Sequence, residues 1–282
     1  MTKKYKTDLE QVDAAWNKLE PMLEENTPVS GKLKALYSNH KFLAAAAILI
    51  LITTIGLLFK DYNSDIVYNT RYGETARVVL PDQSVIFLNG NTRLSYPKNW
   101  PQKGDREVKI NGEAYFSIRH TKTDQKFFVR MDGGMSVEVL GTQFNVSNRK
   151  RQTNVVLSSG KIRFHMDEDS NTPNDTVTMK PGELVAYQPG NATYTRKAVD
   201  PTIYSSWKSS RLEFDKTELQ DVLRTLQDTY GLKIRVEKPE LMHMRVSGSA
   251  PTQNIDLLIK GLSEIFHLEL TKKGDTLIVT TK

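Results

Sequence analysis

The chain has 282 residues, no cysteine and a formal net charge of +6. Without cysteine it can form neither a disulfide nor a thiolate metal site, and its five histidines lack metal-ligand spacing. Its basic residues are interleaved with acidic ones, which argues against a nucleic-acid surface. No zinc-peptidase, serine-hydrolase or phosphate-loop motif occurs in the sequence, so we expect no cofactor and no metal, and an envelope hydrolase is disfavoured.

An amphipathic helix is predicted near the start of the chain. Thr7 or Asp8 can cap it, and the pattern continues to about Glu24. Its apolar side chains recur at steps of three and four and form one stripe: Leu9, Val12, Trp16, Leu19 and Leu23. A lone helix has no core to cover such a stripe, so we expect a partner surface. Self-association, or a position on a bilayer surface, is the alternative.

The stretch from Phe42 to Phe59 contains no charged residue. As a helix it would be about 27 Å long, close to the ~30 Å of a bilayer's hydrocarbon core. This predicts a transmembrane helix, with a buried helix or a cleaved signal peptide as alternatives. A long preceding segment and the lack of a small-residue cleavage site favour an uncleaved anchor. A slight excess of lysine before it predicts a cytoplasmic N-terminus.

After this stretch the apolar period changes to two, which is typical of β-strands. Turn pairs such as Asn89-Gly90, Asn111-Gly112 and Pro181-Gly182 separate the segments. The predicted strands are 75–80, 84–88, 93–96, 107–110, 113–118, 126–131, 136–140, 143–146, 154–157, 161–165, 176–179 and 183–187. An all-β sandwich, barrel or solenoid is expected, and the regular cadence favours a solenoid.

From about Trp207 onward, strand and helix patterns alternate. A strand at 212–214, a helix that Asp215 or Thr217 caps and Gly231 ends, and a strand at 233–236 make one β-α-β unit. A strand at 244–248, a helix at 255–266 capped by Asn254, and a closing hairpin of 268–270 with 277–280 make the second. A small α+β domain is therefore predicted.

Several short blocks follow one another along the sequence: Tyr72-Gly73-Glu74, Val78 to Asp82, Leu88-Asn89, Gly112 to Phe116, Val139 to Val146, Gly160-Lys161 and Pro181-Gly182-Glu183. Taken in order, these blocks resemble the FecR-type transmembrane anti-sigma regulators of Gram-negative bacteria. The short N-terminal segment containing Ala15-Trp16-Asn17-Lys18-Leu19 is similar to that of members from Bacteroidetes. Farther on, Trp207, Phe214 and Tyr230-Gly231 are similar to the small signalling (STN) domain of secretins and TonB-dependent receptors. One departure is Gln83, where the family's Leu-Pro-Asp-Gly turn has glycine.

The resemblance implies a non-enzymatic regulator that holds an extracytoplasmic-function sigma factor through Leu9, Val12, Trp16, Leu19 and Leu23. It also implies a signal from a TonB-dependent outer-membrane transporter, whose signalling domain the C-terminal domain would meet. A single helix transmits rigid-body changes poorly, so release by periplasmic and intramembrane proteases is favoured. A bitopic envelope scaffold or a TonB-like coupling protein is the alternative.

In part of this family the chain breaks at a Gly-Thr peptide, which corresponds here to Gly141-Thr142. There the threonine hydroxyl attacks the glycine carbonyl, and water opens the resulting ester. A Gly-Thr between two strands is ordinarily only a bulge or turn. Self-cleavage at this peptide is therefore one of two alternatives.

Together these patterns predict a single-pass inner-membrane protein with its C-terminus in the periplasm. The predicted parts are a cytoplasmic helical anti-sigma segment (1–41), one transmembrane helix (42–59), a periplasmic all-β domain that is solenoid or sandwich-like (60–205), and an STN-like α+β domain with two β-α-β units (206–282).

Overall fold

The computed structural model describes residues 13–18, 20, 42–54, 64–166, 176–188, 193–252 and 254–282. The chain divides into two compact units, Met1–Tyr62 and Asn63–Lys282. In the first unit, residues 13–18 and 42–54 are helical. The second unit contains all of the β-strands described below.

The prediction of a transmembrane helix at 42–59 is not supported. Within the described ranges, no helix combines the length and the apolar character that a membrane crossing requires. The predicted single-pass fold class and the inner-membrane location derived from it are therefore wrong.

The β domain is one continuous sheet of 13 strands. The strands are β1 (Asp65–Thr70), β2 (Ala76–Val79), β3 (Val85–Leu88), β4 (Thr92–Pro97), β5 (Arg106–Ser117), β6 (Phe127–Arg130), β7 (Ser136–Val139), β8 (Gln143–Arg149), β9 (Gln152–Ser159), β10 (Ile162–His165), β11 (Thr176–Met179), β12 (Glu183–Gln188) and β13 (Thr193–Ala198). Its main path runs β11-β10-β7-β6-β5-β8-β9-β12-β13.

Strand β5 is the element about which this sheet curls. Its first half pairs with β4 and, in parallel, with β6, whereas its second half pairs with β3 and β8. The apolar faces of the two halves enclose one core, in which Phe116, Phe127 and Phe144 are fully buried. The other described pairings in this sheet are antiparallel, so a curled sheet replaces the predicted solenoid.

The pair Asn111-Gly112 lies inside β5 and is not the predicted turn. Gly112 has φ +121°, and a Cβ there would lie 2.5 Å from the Thr92 hydroxyl oxygen. Glycine therefore allows the strand to bend while β4 stays close to it. One long kinked strand takes the place of two short ones.

The turn after β2 ends in a residue with left-handed backbone geometry. Gln83 has φ +69°, and its N–H donates to the Leu80 carbonyl at 2.9 Å. A residue with a Cβ is strained in this region, and glycine is not. Gln83, which stands where the FecR-type turn has glycine, therefore strains the backbone.

We expect Gln83→Gly to raise the free energy of unfolding by about 1 kcal/mol, because glycine removes this strain. Urea denaturation of the two proteins measures the difference. Gln102→Gly, in an exposed loop without positive φ, serves as the control and should give no gain. Equal stability of Gln83→Gly and the parent chain would contradict the strain argument.

A short connection leads into the C-terminal domain. Helix α1 (Pro201–Ser205) is capped by the Asp200 carboxylate, and one 3-10 turn (Ser206–Ser209) follows. The later elements are β14 (Arg211–Glu218), α2 (Leu219–Tyr230), β15 (Lys233–Val236), a 3-10 turn (Pro239–His243), β16 (Arg245–Pro251), α3 (Ile255–Phe266), β17 (Leu268–Lys273) and β18 (Thr276–Thr281).

The strands on either side of each helix belong to different sheets. β14 pairs antiparallel with β16, whereas β15 runs parallel to β18, which forms a hairpin with β17. The two predicted β-α-β units are therefore not formed, because no helix here connects neighbouring parallel strands. Buried leucines of α2 and α3, including Leu226 and Leu262, fill the core beside these sheets.

Candidate functional site

Trp16 is the member of the predicted sigma-binding stripe that the structure describes. It belongs to the helical residues 13–18, and 64% of its surface is exposed. The other members of the stripe lie outside the described residues: Leu9, Val12, Leu19 and Leu23. Their sigma-binding role remains a prediction.

The Gly141-Thr142 peptide connects β7 to β8. The Thr142 side chain is buried, and its hydroxyl donates to the Lys161 carbonyl at 3.1 Å. Its backbone exchanges two hydrogen bonds with Ile118, of 3.0 and 3.2 Å. This geometry gives Thr142 a structural role, and self-cleavage at this peptide remains a prediction.

Two glycines at this peptide, Gly141 within it and Gly160 packed against it, have no room for a side chain. A Cβ on Gly141 would lie 2.5 Å from the Cβ of His120. A Cβ on Gly160 would lie 2.8 Å from the Thr142 hydroxyl and 2.9 Å from the Gly141 carbonyl oxygen. Close packing therefore accounts for both glycines without invoking chemistry.

A buried arginine lies beside this connection, and sequence reasoning missed it. Arg106, at the start of β5, is 0% exposed, and its guanidinium donates to the Asp82 carboxylate at 2.6 Å. It also donates to three backbone carbonyls at 2.7 to 3.1 Å, those of Arg119, Gln125 and Leu140. One side chain thus fixes the 80–83 turn against the end of β7.

A second charged cluster surrounds Glu138 on β7. Its carboxylate pairs with Arg163, with Lys126 at 3.2 Å and with His165 at 3.3 Å. Burial raises the pKa of Glu138, but hydrogen bonds from Arg163 and Lys126 outweigh burial, so the net pKa lies below its usual value. The carboxylate therefore stabilises the fold in its charged form.

We expect Glu138→Gln to lower the free energy of unfolding at pH 7, because the change removes the negative charge that pairs with Arg163 and Lys126. Since both of these side chains are partly exposed and their charges are screened by solvent, the loss should be about 1–2 kcal/mol. Since the folded pKa is lowered, this stabilisation is fully present above the unfolded pKa of about 4.3 and is lost as pH falls through the folded value. Urea denaturation between pH 7 and pH 3 should show the two proteins converging in acid.

The matched control is Glu107→Gln, which removes a more exposed carboxylate paired with Arg130 at 3.1 Å. We expect it to change stability by less than about 1 kcal/mol. A difference between Glu138→Gln and the parent chain that stays constant down to pH 3 would contradict the assigned pKa direction.

The β domain and the C-terminal domain meet at the end of helix α2. The Gly73 N–H donates to the Thr229 carbonyl at 2.8 Å, and the Asn91 side-chain amide donates to the Asp228 carbonyl at 3.1 Å. The last carbonyls of a helix have no partner within the helix. Loops of the β domain therefore complete the hydrogen bonding of α2.

Tight contacts around these hydrogen bonds leave no room for extra atoms. A Cβ on Gly90 would lie 2.5 Å from the Thr229 carbonyl oxygen, and one on Gly231 would lie 2.9 Å from the Tyr72 ring. Arg149 donates to the carbonyls of Gly90 at 3.0 Å and Asn91 at 2.7 Å. We call this contact between loops 71–74 and 89–91 and the end of α2 the domain joint.

A lysine of the 3-10 turn Ser206–Ser209 lies on aromatic rings of the β domain. Lys208 Nζ is 3.1 Å from the Tyr115 ring centroid and 5.7 Å from that of Phe87. Burial lowers the pKa of Lys208. Tyr115 is also buried in one cluster with Trp207 and the core of the C-terminal domain, so the β domain supplies part of that core.

Two family models match the chain in tandem. The model described as FecR protein matches residues 66–163, and the model described as FecR, C-terminal matches residues 211–279. Together they cover more than half of the 282 residues. The chain belongs to the FecR family. The family resemblance seen in the sequence is thereby confirmed.

Solved structures share the FecR fold seen here. Two crystal structures of a candidate anti-sigma factor from Parabacteroides distasonis ATCC 8503, at 2.50 and 1.65 Å resolution, each align with a TM-score of 0.64. Their identities are 22% and 21%, and the alignments cover 78% and 77% of this chain and 100% and 99% of theirs. No curated protein matches the chain.

The FecR blocks found in the sequence occupy structural positions of consequence. The block ending at Asp82 holds the partner of Arg106, and the block from Val139 to Val146 contains the Gly141-Thr142 connection. Tyr72-Gly73 and Tyr230-Gly231 face each other at the joint.

Among the residues that the structure describes, no group of three or more His, Asp or Glu side chains could hold a metal ion.

Proposed function

We propose that this FecR-family chain is a non-enzymatic anti-sigma regulator that holds an extracytoplasmic-function sigma factor until a signal arrives. The observation that carries the proposal is the match to both FecR models, in order, at residues 66–163 and 211–279. The fold shared with the candidate anti-sigma factor of Parabacteroides distasonis is consistent with it.

The proposed contact with the sigma factor is the apolar stripe of segment 1–41. Trp16 supports this assignment, because a tryptophan that is 64% exposed on helical residues has apolar surface to bury. Aromatic anchors of an amphipathic helix commonly contribute most of the binding energy in a groove. The stripe comprises Leu9, Val12, Trp16, Leu19 and Leu23.

The proposed input comes from the signalling domain of a TonB-dependent outer-membrane transporter, which would contact residues 206–282. The two-stranded sheet β14-β16 supports this, since within the described residues each strand pairs only with the other. Free strand edges accept an added strand through backbone hydrogen bonds. Proteolysis would then release the sigma-binding segment.

The sigma contact is tested by co-purifying the full chain with the extracytoplasmic-function sigma factors of its source organism, one at a time. We expect the parent chain to retain one of these sigma factors and Trp16→Ala to weaken that binding by about 30-fold, as for a loss of about 2 kcal/mol. Lys18→Ala, on the same helical segment, is the matched control and should bind like the parent. Failure of the parent chain to bind, or equal binding by Trp16→Ala, would contradict the proposal.

A further inference from the structure

A groove of about 430 Å³ lies between helix α2 and strand β15, within the second compact unit. Leu223 belongs to the side of α2 that lines it, and Ile234 and Val236 of β15 form the facing wall. The 3-10 turn Pro239–His243 supplies further apolar lining, and Arg151, from the turn between β8 and β9, completes it. The floor of this groove is therefore apolar.

Strand β15 has an open edge at this groove. It pairs in parallel with β18 and, within the described residues, with no other strand. The N–H groups of Lys233 and Glu237 donate to carbonyls of the β18 segment, at 2.8 and 3.0 Å. Because backbone groups alternate in direction along a strand, those of Ile234 and Val236 point away from β18. The same two residues thus provide side chains to the groove and open backbone groups to the edge.

The groove and the open edge together have the geometry of a place for one more strand. A strand added to an edge bonds to the open backbone groups, and every second side chain of it points to one face of the sheet. On the groove face, Ile234 and Val236 are half-buried, and Leu223 of α2 is 2% exposed. Alternate side chains of an added strand would therefore lie against an apolar surface.

Charge at the groove favours an acidic partner. Among the described residues, the charged side chains that line it are both arginines, Arg151 and Arg224, and no acidic side chain lines it. Arg224 pairs with Asp221 at 2.8 Å. Arg151 is exposed and makes no ion pair with any residue that the structure describes. A carboxylate near Arg151 is the complement that this surface lacks.

We propose that this groove binds an extended peptide segment of a partner protein, added as a fourth strand beside β15. The segment has apolar side chains at alternate positions and a carboxylate that reaches Arg151. Its backbone hydrogen bonds provide affinity, and the groove selects its side chains. This surface is distinct from the β14-β16 edge proposed for the transporter domain, and the inference depends neither on that assignment nor on the sigma-factor contact.

Fluorescence polarisation with the full chain tests the proposal, using the fluorescein-labelled peptide Glu-Thr-Val-Thr-Val-Thr-Glu-amide. Its valines suit the groove, and a carboxylate at each end serves either strand direction. We expect saturable binding, and a Kd at least about tenfold higher when lysine replaces both glutamates. Arg151→Glu should raise the Kd of the parent peptide about tenfold, because attraction becomes repulsion.

The matched control is Lys150→Glu, which makes the same charge change at the neighbouring exposed position that does not line the groove. It should change the Kd by less than about twofold, since surface charges are screened over short distances. Both variants alter exposed side chains of one turn, so both should fold like the parent chain.

Two N-methylated peptides test the backbone pairing, one methylated on the valine amides and the other on the threonine amides. Alternate residues of a strand face its neighbour, so one peptide should lose binding and the other should bind like the parent peptide. Bound peptide should also slow hydrogen exchange at the Ile234 and Val236 amides, and not at those of β14 and β16.

Four results would overturn the proposal. They are no saturable binding of the parent peptide, a Kd unchanged in Arg151→Glu, equal binding of the two N-methylated peptides, and exchange protection on β14 or β16 in place of β15. The last result would instead assign the peptide to the edge proposed for the transporter domain, so the two surfaces are tested separately.

Discussion

Replacing Arg106 with methionine is expected to lower the free energy of unfolding by about 3–5 kcal/mol, the range for breaking a buried ion pair. The change leaves the nearly buried Asp82 carboxylate without its cation. It also removes the donor to three carbonyls, those of Arg119, Gln125 and Leu140. Urea denaturation followed by circular dichroism measures the loss.

The control for this change is Arg119→Met. Arg119 is exposed, and it contributes only its backbone carbonyl to the buried arginine. Its replacement should alter stability by no more than about 0.5 kcal/mol. Arg106→Lys keeps the positive charge but loses the planar set of guanidinium donors. Its loss of stability should therefore lie between those of Arg106→Met and Arg119→Met. A loss below about 1 kcal/mol for Arg106→Met would show that the cluster contributes little.

Replacing Gly90 with valine is expected to destabilise the protein by about 3 kcal/mol through overpacking at the joint. The new Cβ would lie 2.5 Å from the Thr229 carbonyl oxygen, which is backbone of helix α2 and cannot turn aside as a side chain could. The Gly73–Thr229 hydrogen bond should break with it. Hydrogen exchange at the Gly73 amide should therefore accelerate, alongside the loss in urea stability.

Gly104→Val is the matched control for the joint. Gly104 has φ +90° and open space around it, so valine adds backbone strain of about 1–2 kcal/mol but no clash. Gly104→Val should leave hydrogen exchange at the Gly73 amide unchanged. Unchanged exchange at Gly73 in Gly90→Val as well would mean that the two domains do not depend on this contact.

Local features of the fold were predictable where a single residue determines them. Gly231 ends α2 with φ +71°, and Asn254 caps α3 by accepting from the Asp256 N–H, both as the sequence indicated. The cap assigned to Asp215 or Thr217 was wrong. Strand β14 continues through Glu218, with an irregularity near Lys216 at φ +48°, so the helix begins at Leu219.

Features that depend on distant segments were not predictable. Strands β1 and β13 are largely exposed at sheet edges and lack the alternation that marks a half-buried strand. An arginine at the start of a strand ordinarily points to solvent, and Arg106 is buried only because carbonyls from remote loops converge on it. The joint, likewise, brings Gly73 to Thr229 across much of the sequence.

The contacts of Asn145 and Trp207 were missed for the same reason. Asn145 belongs to a recognisable FecR block, but the Glu113 carboxylate that its side-chain amide contacts lies on a neighbouring strand. Trp207 was noted as a family position, with no signal that it would be buried in one cluster with Tyr115 of the β domain. Such a cluster forms only after the β domain and the C-terminal domain come together.

The carbonyls at the end of α2 have an evolutionary consequence. Family models divide this protein into two separate matches, as if each could be exchanged freely between lineages. Yet the helix in the second match finishes its hydrogen bonding on loops from the first. A recombination event that replaced either portion alone would have to recreate that fit, so the pair should be inherited together.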